Sequence, residues 1–230
     1  MAKQLAKIEK PKVEQFKQGK KLYLVPLIYS SEDAPDEHKE KCSRYWQQVA
    51  EQLSSLASKL GRVNRVYHES VFGFGEDAMR VMEKLNPSSY QIAKTECANG
   101  AILETIEEEE LLEEIMDWQR CLMLGFVSEK VASKVSEFYV EAAKKRNEFM
   151  AKKISETLKE DEAGLLFIRD GHSVQFPNDI EVFSVFPPAL DEIHRWLRDQ
   201  ARLEVEKVRE ESKGEAEGEV KEEVEKKFDE

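Results

Sequence analysis

Apolar residues in this chain fall into two patterns, short continuous runs and longer stretches with helical spacing. The runs at 21–29, 64–69, 164–172 and 180–186 are rich in residues that favour strands. Continuous apolarity predicts strands buried on both faces, as in sheets covered by helices. In the first run, Pro26 cannot donate a ladder hydrogen bond, which predicts that this strand lies at an edge, is bulged or ends there.

Between these runs, apolar residues recur every three or four positions, which predicts helices. One such stripe predicts a helix over about 36–60, and Gly61 is typical of its end. Shorter helical stretches are expected at 76–85 and through most of 89–124. A long helix is predicted from Ser128 to about Leu158, and another is expected to begin near Pro188.

Strands alternating with helices predict an α/β fold, with a mixed sheet of about four or more strands packed by several long helices. One domain over residues 21–200 is expected, since domains usually hold ~100–200 residues. Residues 1–20, which are rich in Lys, predict a flexible N-terminal arm. Residues 201–230, dominated by Glu, Lys, Arg and Ser, predict a charged helical tail that frays into disorder.

Composition narrows the classes of partner. The 230 residues carry a net charge of −12, which disfavours the nucleic-acid binding that rests on neutralising phosphates. No apolar stretch of ~18 residues predicts a membrane span, and the N-terminus lacks the apolar run of a signal peptide. Cys42, Cys97 and Cys121 form no CxxC pair, as is typical of a reduced protein. An acidic cytoplasmic protein without nucleic-acid or membrane partners is predicted, while a homo-oligomer or a protein partner stays open.

Polar side chains stand at the ends of three predicted strands. Tyr29, the pair His68 and Glu69, and His172 occupy these places. Ligands of open α/β sheets gather at the carboxyl ends of strands, so these residues are candidates for one common rim. Neighbouring strand residues face opposite ways, which leaves open whether His68 or Glu69 points there. For His172, the alternative is a surface histidine in a turn.

Arg146 is a charged residue on the apolar stripe of the long helix, four positions from both Ala142 and Met150. A buried charge is costly unless it is paired, so a carboxylate or backbone partner is expected, with Glu69 the first candidate. The alternative is a snorkelling side chain that buries only its stem. The Glu-rich run at 107–114 is interpreted as a solvated helix face rather than a metal cage, because no His accompanies it.

Two segments resemble the second half of the TraB/Tiki group, which is related to the erythromycin-esterase-like and ChaN-like proteins. They are Arg146-Asn-Glu-Phe-Met-Ala-Lys-Lys-Ile154 and Gly164-Leu-Leu-Phe-Ile-Arg-Asp-Gly-His172. Val66-Tyr-His-Glu69 is similar to the group's second strand, which carries a Glu. The first strand departs from the pattern, because Tyr29 stands where the group has a His. The similarity spans roughly residues 21–185.

The resemblance implies either of two functions. One is metal-assisted hydrolysis of a peptide or ester bond, with Glu69 as base or ligand, His172 as acid, base or ligand, and Arg146 stabilising a developing oxyanion. The other is a non-catalytic binding or regulatory module that descends from the same fold. The second is favoured because the histidine missing at Tyr29 leaves few ligands for a catalytic metal, which normally has three from the protein.

Further residues follow from the hydrolase alternative. Tyr29 and Asn147 would contact the substrate. A divalent metal, the one cofactor implied, would be held by His68, Glu69 and His172.

Overall fold

The computed structural model describes residues 18–206, in which a five-stranded sheet is combined with six helices. The strands are β1 (Lys20–Leu27), β2 (Val63–His68), β3 (Ile102–Glu104), β4 (Ala163–Arg169) and β5 (Ile180–Ser184). The helices are α1 (Asp36–Leu60), α2 (Gly75–Leu85), α3 (Pro87–Ala98), α4 (Glu109–Met123), α5 (Glu129–Thr157) and α6 (residues 188–206). The predicted α/β class is confirmed. The short strand β3 was not predicted, because its segment reads as helical.

All five strands run parallel, in the order β3-β2-β4-β1-β5. The sequence predicts a mixed sheet, and the difference has a simple cause. Each connection is long enough to carry the chain back to the starting edge of the sheet, which parallel pairing requires. The connection from β4 to β5 does so without a helix, through residues 170–179.

Pro26 lies in a strand that has a neighbour on each side, so the expected edge strand or bulge is wrong, whereas the expected stop comes one residue later, since β1 ends at Leu27. On one side the pairing of β1 with β4 continues as far as Leu27, whereas on the other side the pairing with β5 ends at Leu24. The Val185 N–H donates to the Leu24 carbonyl. Because backbone groups alternate sides along a strand, the N–H that Pro26 lacks falls beyond the end of β5.

The described residues group into two compact units. The first comprises 18–29 and 46–186, and contains the sheet, α2 to α5 and most of α1. The second comprises 30–45 and 187–206, with the start of α1 and with α6, where the rings of His38 and Trp196 lie 4.8 Å apart between centroids. The sequence predicts one domain over 21–200. Most of the predicted flexible arm and most of the predicted charged tail lie outside the described residues, although residues 201–206 continue α6.

Helix α5 covers one face of the sheet with a stripe of buried side chains. Met150, Ile154 and Leu158 pack there against side chains of the inner strands, and Val174 and Phe176 of the β4–β5 connection join them. The sheet contributes Leu22, Leu24, Tyr67, Leu166 and Ile168. Apolar burial of this extent, at about 25 cal/mol per Å², holds α5 in place over the sheet.

The opposite face carries the alternate residues of the same strands. Phe167 contacts the rings of Trp46 and His68 there, with centroids 6.3 and 5.6 Å apart. Since residues two positions apart share a face, Glu69 continues the α5 side begun by Tyr67, while His68 belongs to the other side. None of the helices in the described range is both long and apolar enough to cross a membrane.

Gly164 is needed where β4 passes closest to its neighbours, because a Cβ there would lie 2.8 Å from the Tyr67 ring and 3.0 Å from Leu22. We expect Gly164→Ala to lower the free energy of unfolding by about 1–3 kcal/mol through overpacking. In a Tyr67→Val background, where the ring is absent, the same change should cost less. A double-mutant cycle by urea denaturation measures this coupling. Strict additivity of the two changes would contradict the packing argument.

Candidate functional site

The carboxyl ends of three adjacent parallel strands form a common rim at which most of the predicted residues meet. Tyr29 follows β1, Glu69 follows β2, and Arg169 and His172 end and follow β4. The chain leaves β2 towards β3 and leaves β4 towards β5, in opposite directions. A crevice forms at such a switch point, and it is the usual ligand site of open parallel sheets.

Arg146 reaches this rim from α5 and is 3% exposed. Its Nε donates to Glu107 Oε2 at 2.9 Å, its Nη2 contacts Glu107 Oε1, and its Nη1 donates to Glu69 Oε1 at 3.1 Å. The expected buried carboxylate partner is therefore confirmed, and the snorkelling alternative is wrong. Although burial opposes the charge, the carboxylates of Glu107 and Glu69 raise the pKa of Arg146.

Glu107 is the partner that the sequence did not indicate. It belongs to a run of glutamates interpreted as a solvated face, yet its side chain is fully buried. It also accepts a hydrogen bond from the Ser70 N–H at 2.7 Å, and Ser70 itself adopts a left-handed conformation with a φ of 65°. The available signal was its position directly after Ile106, which is itself completely buried.

Glu69 is engaged through both of its carboxylate oxygens. Oε1 accepts from Arg146 Nη1 and forms an ion pair with Arg169 Nε at 2.8 Å, while Oε2 accepts from the Arg169 backbone N–H at 2.6 Å. Both oxygens of Glu69 are thus already occupied by groups of the protein itself. Its geometry is that of an anchor for two arginines.

His68 lies away from the rim, on the opposite face of the sheet. Its Nδ1 donates to the Glu69 carbonyl at 2.6 Å, and its Nε2 is 3.0 Å from Ser89 Oγ. Burial lowers the pKa of His68 to about 4, against the opposing effect of the hydrogen bond to the Glu69 carbonyl. The ring is therefore neutral at pH 7, and both of its nitrogens already have hydrogen-bond partners within the protein.

The three predicted metal ligands are not brought together. The side chains of His68 and Glu69 form their hydrogen bonds on opposite faces of the sheet, and His172 follows a different strand. Across residues 18–206, no three His, Cys, Asp or Glu side chains form a group able to hold a metal ion.

An open cavity of about 740 Å³ lies at this rim, between α5 and the start of the β4–β5 connection. Arg169 and His172 line it from the connection side, and Lys144 and Asn147 line it from the helix. Of the predicted residues, His172 and Asn147 thus reach the cavity, while Glu69 and Arg146 lie among the buried charges next to it. Arg169 was not predicted, although a charged residue that closes an apolar strand was a usable signal.

His172 and Tyr29 respond to the same charges. Burial lowers the pKa of His172, although the Glu69 carboxylate raises it. The Val174 N–H donates to His172 Nδ1 at 3.3 Å, so the proton of the neutral ring sits on Nε2. Burial also raises the pKa of Tyr29, the Glu69 carboxylate adds to this, and Arg169 opposes it.

Comparison of the chain with protein-family models, with curated proteins and with solved structures gives no match. The resemblance to the TraB/Tiki group therefore stays a prediction from its motifs.

Replacing Arg146 should unbalance the buried charges. We expect Arg146→Met to lower the free energy of unfolding by about 3–5 kcal/mol, because Glu107 and Glu69 lose their shared cation. Adding Glu69→Gln and Glu107→Gln should recover part of this loss, and urea denaturation measures both effects. Arg80→Met is the control, since Arg80 pairs with Glu76 and Asp77 on an exposed helix face, where such pairs contribute little. Equal effects of the two Arg→Met changes would refute the network.

His68 should make stability depend on pH. The folded-state pKa of about 4 lies below the ordinary 6.5, so the unfolded chain binds a proton that the native state excludes. Stability should therefore fall as pH drops from 6.5 to 4, by roughly 3 kcal/mol from this group. His68→Asn should flatten the curve in this window when unfolding free energies are measured from pH 7 to 4. A curve parallel to that of the unaltered protein would contradict the assignment.

Proposed function

We propose that this protein is a non-catalytic binding module of TraB/Tiki-like descent, and that its cavity takes a small anionic ligand carrying a carboxylate or phosphate group. The observation that carries this proposal is the placement of Arg169. Its Nε is fixed on Glu69, while its side chain is 44% exposed and lines the cavity. A guanidinium that is fixed through its Nε, on a side chain that stays exposed to the cavity, is preorganised for an anion. Its planar set of N–H donors matches the geometry of carboxylate and phosphate groups.

Most of the other lining groups fit the same chemistry. Lys144 adds a second cation, although its Nζ lies 3.8 Å from the carboxylate of Glu148, an acid that also lines the cavity. The Nε2–H of His172 is a neutral donor, and the amides of Asn147 and Gln175 supply donors and acceptors. Val140, Ala143 and Ala151 add apolar surface from α5. The cavity volume of about 740 Å³ suits a small organic molecule, because such sites usually measure ~300–1,000 Å³.

The alternative, a metal-assisted hydrolase, has less support. It requires Glu69 as base or ligand, but both of its oxygens accept hydrogen bonds from arginines. It also requires a free positive charge on Arg146, whose guanidinium is shared between two carboxylates. Tyr29 is 50% exposed after the end of β1 and is not among the residues that line the cavity. We also propose a cytoplasmic location, which is supported by three cysteines that form no disulfide, Cys42, Cys97 and Cys121.

A ligand panel tests the proposal. Inorganic phosphate, succinate, glucose 6-phosphate and adenosine monophosphate are titrated calorimetrically, with glucose and adenosine as neutral counterparts. We expect binding by at least one anion and none by its neutral counterpart. Arg169→Gln should weaken this binding about 10-fold or more, the worth of a charged hydrogen bond, and added salt should weaken it too.

Arg80→Gln is the matched control, because it removes an exposed arginine of the same unit that lies on α2 and does not line the cavity. It should leave affinity unchanged. Equal binding of charged and neutral compounds, or full affinity in Arg169→Gln, would overturn the proposal. Ester or peptide hydrolysis that is lost in Glu69→Gln would instead establish the hydrolase alternative.

A further inference from the structure

Helices α4 and α5 form a hairpin whose outer half extends away from the buried core. The first buried residue of α5 is Ala142, thirteen positions after the helix begins at Glu129. At 1.5 Å per residue, the outer part of α5 is about 20 Å long. The two helices contact each other along this part, where the rings of Trp118 and Phe138 stack with centroids 4.9 Å apart.

The end of the hairpin, residues 123–127, exposes large apolar side chains. Met123 and Leu124 are 81% and 83% exposed, Val127 is fully exposed, and Phe126 is partly exposed. Exposed apolar side chains that are contiguous in this way mark interaction sites, whereas isolated ones are ordinary. We call these residues the hairpin tip.

A groove lies at the base of the same hairpin. It measures about 470 Å³, and its apolar lining consists of Phe72, Leu112 and Met116. The remaining lining residues are charged: Glu109, Glu113, Asp117 and Arg120. The groove is thus an apolar depression with a mainly acidic rim.

The charges of tip and groove are complementary. Residues 109–117 contain four Glu and one Asp, and no Lys or Arg. Residues 121–134, which include the tip, contain Lys130 and Lys134 against the single acid Glu129, and Lys134 also pairs with Glu137 of its own helix. When two hairpins lie antiparallel, the negatively charged part of each α4 lies beside the positively charged end of the other hairpin, and the two attract each other.

We propose that the partner of this surface is a second copy of the chain, and that the hairpin tip of each copy occupies the groove of the other. The arrangement is a two-fold pairing of α4 with α4, in which each copy supplies the same patch. Met116 and Met123 are one heptad apart and lie on one stripe of α4. In an antiparallel pair, Met116 faces Met123 of the second copy. The stack of Trp118 on Phe138 sets Lys130 level with position 126 of its own hairpin, so Glu113 lies level with the second copy's Lys130.

A lipid surface suits these features less well. Its anionic headgroups would attract the basic residues around the tip but repel the five acids at 109–117, the nearest of which lies six positions before Met123. At 1.5 Å per residue this is about 9 Å, within one Debye length at physiological salt. A second copy turns the same acids into attractive contacts.

Sedimentation velocity of the full chain tests the proposal. We expect the dimer fraction to grow as protein concentration rises from about 1 to 200 µM. Leu124→Lys combined with Val127→Lys should raise the dimer dissociation constant at least 10-fold, because charge replaces the apolar tip. Phe74→Lys is the matched control, since Phe74 is 82% exposed in the same unit but lies outside tip and groove, and it should change nothing.

Charge exchange tests the antiparallel register. Glu109→Lys with Glu113→Lys should raise the dissociation constant, and adding Lys130→Glu with Lys134→Glu to the same chain should restore it. These side chains are exposed, so all variants should keep the melting temperature of the unaltered protein. Failure of the restoration would overturn the register.

Three other results would overturn the dimer itself. One is a monomer throughout the concentration range, and another is a dimer that the tip variant leaves intact. The third is a monomer that binds phosphatidylcholine–phosphatidylserine vesicles through the tip, which would assign the surface to a membrane.

Discussion

A buried positive charge sets the main constraint on this fold. Arg146 lies within an apolar helix stripe, and removing a guanidinium from water costs several kcal/mol unless carboxylates meet it. Glu69 and Glu107 meet it from two different strand ends, so α5, the end of β2 and the segment after β3 must arrive at one point. Hydrophobic packing would tolerate small shifts of α5 along the sheet, but this ion network does not. It therefore fixes the position of the helix that forms one wall of the cavity.

The same network decides which residues remain available to a ligand. Glu69 is committed to Arg146 and to Arg169, and this second contact holds the Arg169 guanidinium at the cavity. The carboxylate of Glu69, which the sequence suggests as a base or metal ligand, thus positions Arg169 instead. The proposed binding role depends on this division of labour. The buried charges hold neighbouring side chains in position, and the exposed charges contact the ligand.

Much of this arrangement follows from sequence pattern, and the rest depends on contacts that pattern does not encode. The alternation of apolar runs and helical stripes predicts the α/β class. The position of Arg146 on such a stripe predicts a carboxylate or backbone partner, for which Glu69 is the first candidate. Glu107 escaped prediction because one buried Glu beside several exposed ones has the same local composition as a solvated face. Pro26 was misread for a related reason, since where the β5 pairing ends is a property of another segment. Which strands are neighbours and which single charges are buried depend on contacts between residues far apart in the chain. The local pattern of one sequence does not determine such contacts.

The two walls of the cavity differ in how freely their sequences can vary. The α5 wall is tied to the core through Met150 and Ile154, and to the charges through Arg146, so substitutions there disturb the fold. The facing wall belongs to residues 170–179, an irregular segment attached to the core through Val174 and Phe176. Replacement or lengthening of this segment would change the shape and polarity of the cavity with little loss of stability, since loop extension is thermodynamically mild. Selection for a new ligand would therefore act first on this connection, with the sheet and α5 unchanged as its frame.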